Sequence, residues 1–125
     1  MKRILIADDE PHLVRILRLG LEKAGYSVNT VADGECALAK IRETVPDVLI
    51  TDIEMPRMNG EQLCRSLDKE IDDPSLLIIV VTSHPEETHR IWSSKIPRVK
   101  FLEKPLSIRK LCRLLEAHFA LIDCK

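Results

Sequence analysis

The chain lacks any apolar run long enough to cross a bilayer. Its longest, LLIIVV from Leu76 to Val81, falls far short of the roughly 20 residues a spanning helix needs, so it reads as a buried strand. The opening MKRILIADDE has no long apolar stretch or small-residue cleavage site of the secretory type, and a cytoplasmic location is expected. Net charge is nearly absent too. With 19 basic and 20 acidic side chains giving −1, there is no bulk electrostatic case for nucleic acid, although local patches remain open. Neither membrane association nor direct DNA binding is expected. The four cysteines, Cys36, Cys64, Cys112 and Cys124, form no CxxC pair, which argues against a zinc site or a dithiol redox motif. They read as small core or surface thiols. The absence of a G-x-x-x-x-G-K-S/T loop argues against a P-loop nucleotide hydrolase, and no linker, repeat or low-complexity segment divides the chain.

What is present is a regular alternation. The 125 residues, 45% hydrophobic and 31% charged, suit one soluble globular domain over residues 1–125. Short β-rich runs (RILIA, YSVNTVA, DVLITD, LLIIVVTS, VKFLE) are separated by stretches whose apolar residues recur at three and four positions. Val14, Leu17 and Leu21 make one such stripe; Ala37, Leu38 and Ile41 make another. This is βα repeated five times. Three of the strands are almost uniformly apolar, as in a parallel sheet covered on both faces by helices, and right-handed crossovers follow. Boundary signals agree: Pro11 opens the first helix, Gly25 closes it, and Asp33-Gly34 leads into the second.

In an open parallel sheet, chemistry gathers outside the carboxyl ends of the strands, near the point where strand order reverses. Strand one ends in Asp8-Asp9, strand three in Thr51-Asp52, strand four in Thr82-Ser83 and strand five in Glu103-Lys104-Pro105. Carboxylates, a hydroxyl and an ammonium are thus expected on one rim. Such acids are hard oxygen ligands matching the shell Mg²⁺ prefers, and without a cation they are costly. Two unit charges about 4 Å apart repel by roughly 4 kcal/mol at an effective dielectric near ~20. The plainer alternative is that Asp8, Asp9 and Glu10 only cap the first helix. That account suits Glu10, read as a first-turn charge beside Pro11. It does not explain Asp52 and Lys104 at equivalent strand ends.

Taken together in order, IADDEP, ITDIEMPRMNG, VVTSHP and FLEKP resemble the receiver domain of two-component response regulators over essentially the whole chain. The resemblance implies an α/β, flavodoxin-like, doubly wound five-stranded parallel sheet of order 2-1-3-4-5 with five helices. It implies a phosphoprotein switch, not a classical enzyme, that takes a phosphoryl group from a histidine kinase or histidine phosphotransfer protein. In that reading Asp52 is the phosphoacceptor and Asp8, Asp9, Asp52 and the Glu54 carbonyl hold Mg²⁺. Lys104 pairs with the acceptor and then with a phosphoryl oxygen, Thr82 is the switch hydroxyl, and Phe101 is the aromatic switch position. Glu54 and His84 flank the route of water to the phosphoryl group and tune its hydrolysis. The Lys104-Pro105 peptide is expected to be cis. Duller roles exist for each: Thr82 as a strand-end cap, Lys104 as a solvated lysine, Phe101 as static core, His84 as an exposed loop residue.

Other features are read from residue type. Pro56 stiffens the acceptor loop, Asn59-Gly60 offers a left-handed turn before the third helix, and Met55 and Met58 are packing residues. His12, His89 and His118 are expected at the surface. Receivers commonly carry a Gly-Ala pair before the fifth strand, where this chain has Ile96 and Pro97, so an early or irregular end to the fourth helix is expected. Trp92 is expected to be at least partly buried. Arg90, Lys95, Arg98, Lys100, Arg109, Lys110 and Arg113 form either a solvated face or a basic output surface for a downstream partner on helix four, strand five and helix five. In the last helix Ile108, Leu111, Leu115, Phe119 and Ile122 make a core stripe. Leu114 and Leu121 fall off it and are candidates for a contact in a phosphorylation-dependent homodimer, a monomer being the alternative. Two other functions compete: a receiver-like module that no longer uses phosphate, and a Mg²⁺-dependent aspartyl phosphohydrolase. The first would have lost Asp52, Thr82 or Lys104, and the second would carry a D-x-D nucleophile after strand one.

Overall fold

A computed structural model describes residues 1–71, 73, 75–92 and 99–123. Five strands, β1 (Arg3–Ala7), β2 (Ser27–Val31), β3 (Val48–Asp52), β4 (Leu77–Thr82) and β5 (Val99–Glu103), alternate with five helices. The helices are α1 (Pro11–Lys23), α2 (Gly34–Glu43), α3 (Gly60–Glu70), α4 (Pro85–Trp92) and α5 (Ile108–Asp123). The strands form one sheet in the order β2-β1-β3-β4-β5, and every neighbouring pair is parallel. This is the flavodoxin-like arrangement expected.

Side-chain alternation explains why the inner strands are apolar throughout. Successive residues of a strand point to opposite faces, and here both faces are covered. Leu5, Leu49, Ile78 and Val80 enter one buried layer with Ala37 and Ile41 of α2 and Leu63 and Leu67 of α3. Ile4, Ile6, Ile50, Ile79 and Val81 enter the other, with Leu17 and Leu21 of α1 and Leu111, Leu115 and Phe119 of α5. The three almost uniformly apolar strands are β1, β3 and β4, which fill the middle of the sheet. The more polar β2 and β5 are its edges.

Helix ends follow local chemistry. Pro11 is the first residue of α1. At its other end Gly25, at φ 101°, sits in the left-handed region, where its N–H bonds to Glu22 O and the N–H of Tyr26 to Leu21 O. That pair of bonds satisfies carbonyls the helix cannot use itself. The carboxylate of Asp33 caps α2 by accepting from Cys36 N at 2.8 Å. Glu10 departs from expectation: it occupies the position before Pro11, one residue ahead of the first turn, and its side chain makes no capping bond. The carboxylate at work there is Asp8, which accepts the Glu10 N–H at 2.9 Å.

Asn59-Gly60 also differs. Asn59 is extended (φ −78°, ψ 173°) and forms a reciprocal capping box with Gln62, so no left-handed turn occurs there. The left-handed residue of this loop is Arg57, at φ 66°. Among the histidines, His12 is exposed as expected. His118 is half-buried, with Nε2 enclosed and without a hydrogen-bond partner among the described residues. Burial, with Lys100 and Lys2 nearby, pushes its pKa down, because a dry imidazole among cations resists a proton. The His89 side chain, Cys124, Lys95, Arg98 and the Ile96-Pro97 stretch lie outside the described residues. Cys36, Cys64 and Cys112 are free thiols, and burial pushes Cys64 up to about 12. A thiol so resistant to ionisation is a packing residue.

Candidate functional site

The order of the sheet reverses between β1 and β3, so the loops leaving these two strands part in opposite directions and open a crevice. Asp8 and Asp9 leave β1 into it, and Asp52 ends β3 beside them. Carboxylate oxygens of the three lie within 4.8 Å of one another. Asp8 is buried, Asp52 half-buried and Asp9 exposed. Burial raises the pKa of Asp8, opposed by the hydrogen bond from Glu10 N and reinforced by the neighbouring Asp52. An acid at this point resists ionisation because it is dry and beside like charge.

Lys104, just beyond β5, supplies the cation. Its Nζ is 2.9 Å from Asp52 Oδ1, and the same oxygen accepts the Ile53 N–H at 2.8 Å. Burial alone would lower the lysine's pKa, but the bond to Asp52 and the attraction of Asp52, Asp8 and Glu10 outweigh it and raise the value. Lys104 therefore stays an ammonium here. Both donors engage Oδ1, which orients Oδ2 as the distinct second oxygen of the carboxylate. The Lys104-Pro105 peptide is cis, as expected.

Two glycines hold the acceptor loop against the sheet. A Cβ on Gly60 would lie 2.3 Å from the Asp52 carbonyl oxygen, and one on Gly34 would lie 2.2 Å from Met58 O. Gly60 N donates to Ile53 O at 2.7 Å and Gly34 N to Met58 O at 3.1 Å. Arg57 adds a tie that was not anticipated, with Nε 3.7 Å from Asp33 Oδ2. The hydrogen bond from Cys36 N, with help from Arg57, lowers the pKa of Asp33. The sequence clue was present in Asp33-Gly34, but it pointed only to a turn leading into α2.

Beside the acids runs a cavity of about 540 Å³ whose walls include Asp52, Glu54, Thr82, His84, Trp92 and Lys104. Thr82 is buried at the end of β4, and its Oγ1 accepts the His84 N–H at 3.1 Å. Glu54 and His84 are exposed at the mouth. Phe101, half-buried, meets the buried ring of Trp92 edge-on at a centroid distance of 5.5 Å. Every proposed site residue thus lies on this crevice or, for Phe101, one ring behind its wall. Thr88 was missed: this buried α4 hydroxyl lies 3.3 Å from Thr82 Oγ1. Nothing in HPEETH marks it beyond its position one turn into the helix.

A 2-1-3-4-5 parallel sheet with an acidic crevice at its switch point defines a flavodoxin-like protein of the receiver type. The model of the response regulator receiver domain matches residues 4–116, and the chain belongs to that family. Its members are the signalling switches of two-component systems. PilH of Pseudomonas aeruginosa is 35% identical over 120 residues, spanning 96% of this chain and 99% of PilH. PhoP of Bacillus subtilis, the alkaline phosphatase synthesis transcriptional regulatory protein, is 32% identical over 110 residues, which are 88% of this chain but only 45% of PhoP. Among solved structures, the chemotaxis response regulator CheY4 of Vibrio cholerae superposes with a TM-score of 0.84 at 27% identity, covering 94% of this chain and 98% of CheY4.

Proposed function

We propose that this receiver is a phosphoacceptor that takes a phosphoryl group on Asp52, in a Mg²⁺-dependent reaction, from a histidine kinase or histidine phosphotransfer protein. The observation that carries this reading is the 2.9 Å Lys104–Asp52 pair beside Asp8 and Asp9. One carboxylate is singled out by a cation, and two others lie within ligand distance of it. The donor set fits the ion: hard oxygens from Asp8, Asp9 and Asp52, with the Glu54 carbonyl assigned by the family resemblance. Bound there, Mg²⁺ would offset the charge on the phosphoryl oxygens.

The remaining steps belong to the chain itself. An oxygen of Asp52 attacks phosphorus in line, an acyl phosphate forms, and the phosphorus–nitrogen bond breaks with its electron pair going to the leaving imidazole. Lys104 moves from the carboxylate to a phosphoryl oxygen, and Thr82 turns its hydroxyl to another. Such catalysis is mainly positioning and charge complementarity. Trp92, on the same cavity wall as Thr82, and Phe101, packed edge-on against the Trp92 ring, carry the change to α4 and β5. There the exposed Arg90, Lys100, Arg109, Lys110 and Arg113 form the output face for a downstream protein. Leu121, 75% exposed on α5, is the apolar candidate for pairing with a second copy. Leu114 is half-buried against the core, so it is less available. The setting that fits is cytoplasmic; no helix among the described residues is long and apolar enough to cross a membrane.

The test is labelling of the intact chain by acetyl phosphate, read as a base-labile acyl phosphate by mass. One phosphoryl group per chain is expected with Mg²⁺ and none in excess EDTA. No label at saturating donor and Mg²⁺, in a chain shown to be folded, would overturn the reading.

Glu54 and His84 stand where water would approach the acyl phosphate. His84→Ala, which clears the mouth, should shorten the half-life of the label by about threefold, roughly 0.6 kcal/mol in the barrier. Glu54→Lys, which places a long cation over the phosphoryl oxygens, should lengthen it by a similar factor. Unchanged decay in both variants would remove these residues from that role.

A further inference from the structure

The hydroxyl of Thr88 is engaged twice. Its Oγ1 donates to His84 O at 2.9 Å, the carbonyl that also accepts Thr88 N at 3.0 Å. This is the back-bond to the preceding turn that threonines make inside helices. A hydroxyl has one proton, and that bond uses it. The 3.3 Å contact between Thr82 Oγ1 and Thr88 Oγ1 therefore has only one consistent direction: Thr82 donates and Thr88 accepts. Since Thr82 Oγ1 also accepts from His84 N at 3.1 Å, the switch hydroxyl is held on both sides, and its single proton is committed to α4.

We propose that Thr88 is a positioning residue that restrains the Thr82 hydroxyl in the resting state, so that α4 directly opposes the switch. This rests on the phosphoacceptor reading of the same site. To donate to a phosphoryl oxygen, Thr82 must withdraw its proton from Thr88. The bond given up is long for O–H···O, where about 2.7–2.8 Å is usual, so it is readily surrendered and the restraint is modest. Both hydroxyls are buried. Removing the Thr88 acceptor leaves a buried donor without its partner, which raises the energy of the resting form. The phosphoryl-bound form, where Thr82 has a new acceptor, does not suffer this loss. The equilibrium then moves toward the active form.

The experiment is a calorimetric titration of the full chain with beryllofluoride, a phosphoryl mimic, in the presence of Mg²⁺. Thr88→Val keeps the branched shape and removes the oxygen; it should bind beryllofluoride about fivefold tighter than the parent, as befits one hydrogen bond. Thr88→Ser restores the hydroxyl and should return binding to the parental value. In a Thr82→Ala background Thr88→Val should change nothing, since the restrained proton is gone. Thr88→Ala, which removes the same oxygen, serves if valine is not tolerated. Unchanged or weaker binding in a folded valine or alanine variant overturns the proposal, as does tightening that persists without the Thr82 hydroxyl. A parent chain that does not bind beryllofluoride at all overturns the phosphoacceptor reading itself, whereas parental binding with no effect at Thr88 overturns only this inference.

Discussion

Replacing Asp52 by Ala should reduce acyl-phosphate labelling to background while leaving the fold intact. The nucleophilic oxygen is lost, and neither Asp8 nor Asp9 replaces it, because neither has its carboxylate on Lys104. The effect on stability is decided by competing charges. At up to 4.8 Å, Asp8 and Asp9 each repel Asp52 by at least about 3.5 kcal/mol at an effective dielectric near ~20. The Lys104 ammonium at 2.9 Å returns roughly 6 kcal/mol on the same scale, less for screening, since its side chain is 35% exposed. Asp9 is itself exposed, so its share of the repulsion is screened in the same way and the two sides nearly balance. In metal-free buffer the melting temperature of Asp52→Ala should therefore stay close to that of the parent. Adding Mg²⁺ should raise the parent's melting temperature more than the variant's, because a ligand stabilises the form that binds it. Full labelling of the variant would remove Asp52 from the acceptor role, and a large loss of melting temperature would contradict the electrostatic account.

Gly60→Ala should damage both stability and phosphoryl transfer. The added Cβ would stand 2.3 Å from the Asp52 carbonyl oxygen and 2.9 Å from Ile53 Cα. These are backbone atoms with no rotamer to retreat into, so either α3 moves outward or the end of β3 shifts. A forced displacement of this kind costs about 1–3 kcal/mol, read as a fall of roughly 5–15 °C in melting temperature. Acceptor geometry moves with the backbone, and a displacement near 1 Å can slow a positioned reaction by about 10²-fold. Gly25→Ala is the control. Its Cβ would meet nothing within 4 Å, but its φ of 101° is unfavourable for alanine. That change should cost about 1 kcal/mol and leave the labelling rate alone. Equal labelling by Gly60→Ala and the parent would show that the acceptor loop does not depend on this contact.

The two glycines illustrate what residue type alone conveys. Gly25 was legible, since a glycine after the last periodic residue of a helix has an established use in ending it. Gly60 was misread as a turn glycine because Asn-Gly has that habit. Its actual requirement is space against a strand 8 residues earlier in the chain, and nothing within the loop expresses it. Glu10 was misread for a related reason: acids near a helix start favour its dipole, yet Asp8 reaches the Glu10 N–H and takes the structural role.

The sequence by itself determined which segments become strands and helices, and which strands are interior, because two-sided burial writes a continuous apolar run into β1, β3 and β4. It also determined that Asp8, Asp52 and Thr82 stand at carboxyl ends of strands, since each directly follows or closes such a run, and that Lys104 directly follows the β-rich run VKFLE. The order of those strands did not follow from periodicity; apolar runs mark strands buried on both faces but not which of them lie side by side, and only the family resemblance supplied 2-1-3-4-5. Tertiary structure decided the rest. Convergence of three carboxylates depends on β1 and β3 being neighbours at the switch point, and the Lys104–Asp52 pair depends on β5 lying beyond β4. The Thr82–Thr88 bond depends on how α4 returns over the sheet. These contacts are set by packing across distant segments, where one ångström separates a bond from a gap, and a linear pattern carries no such distances.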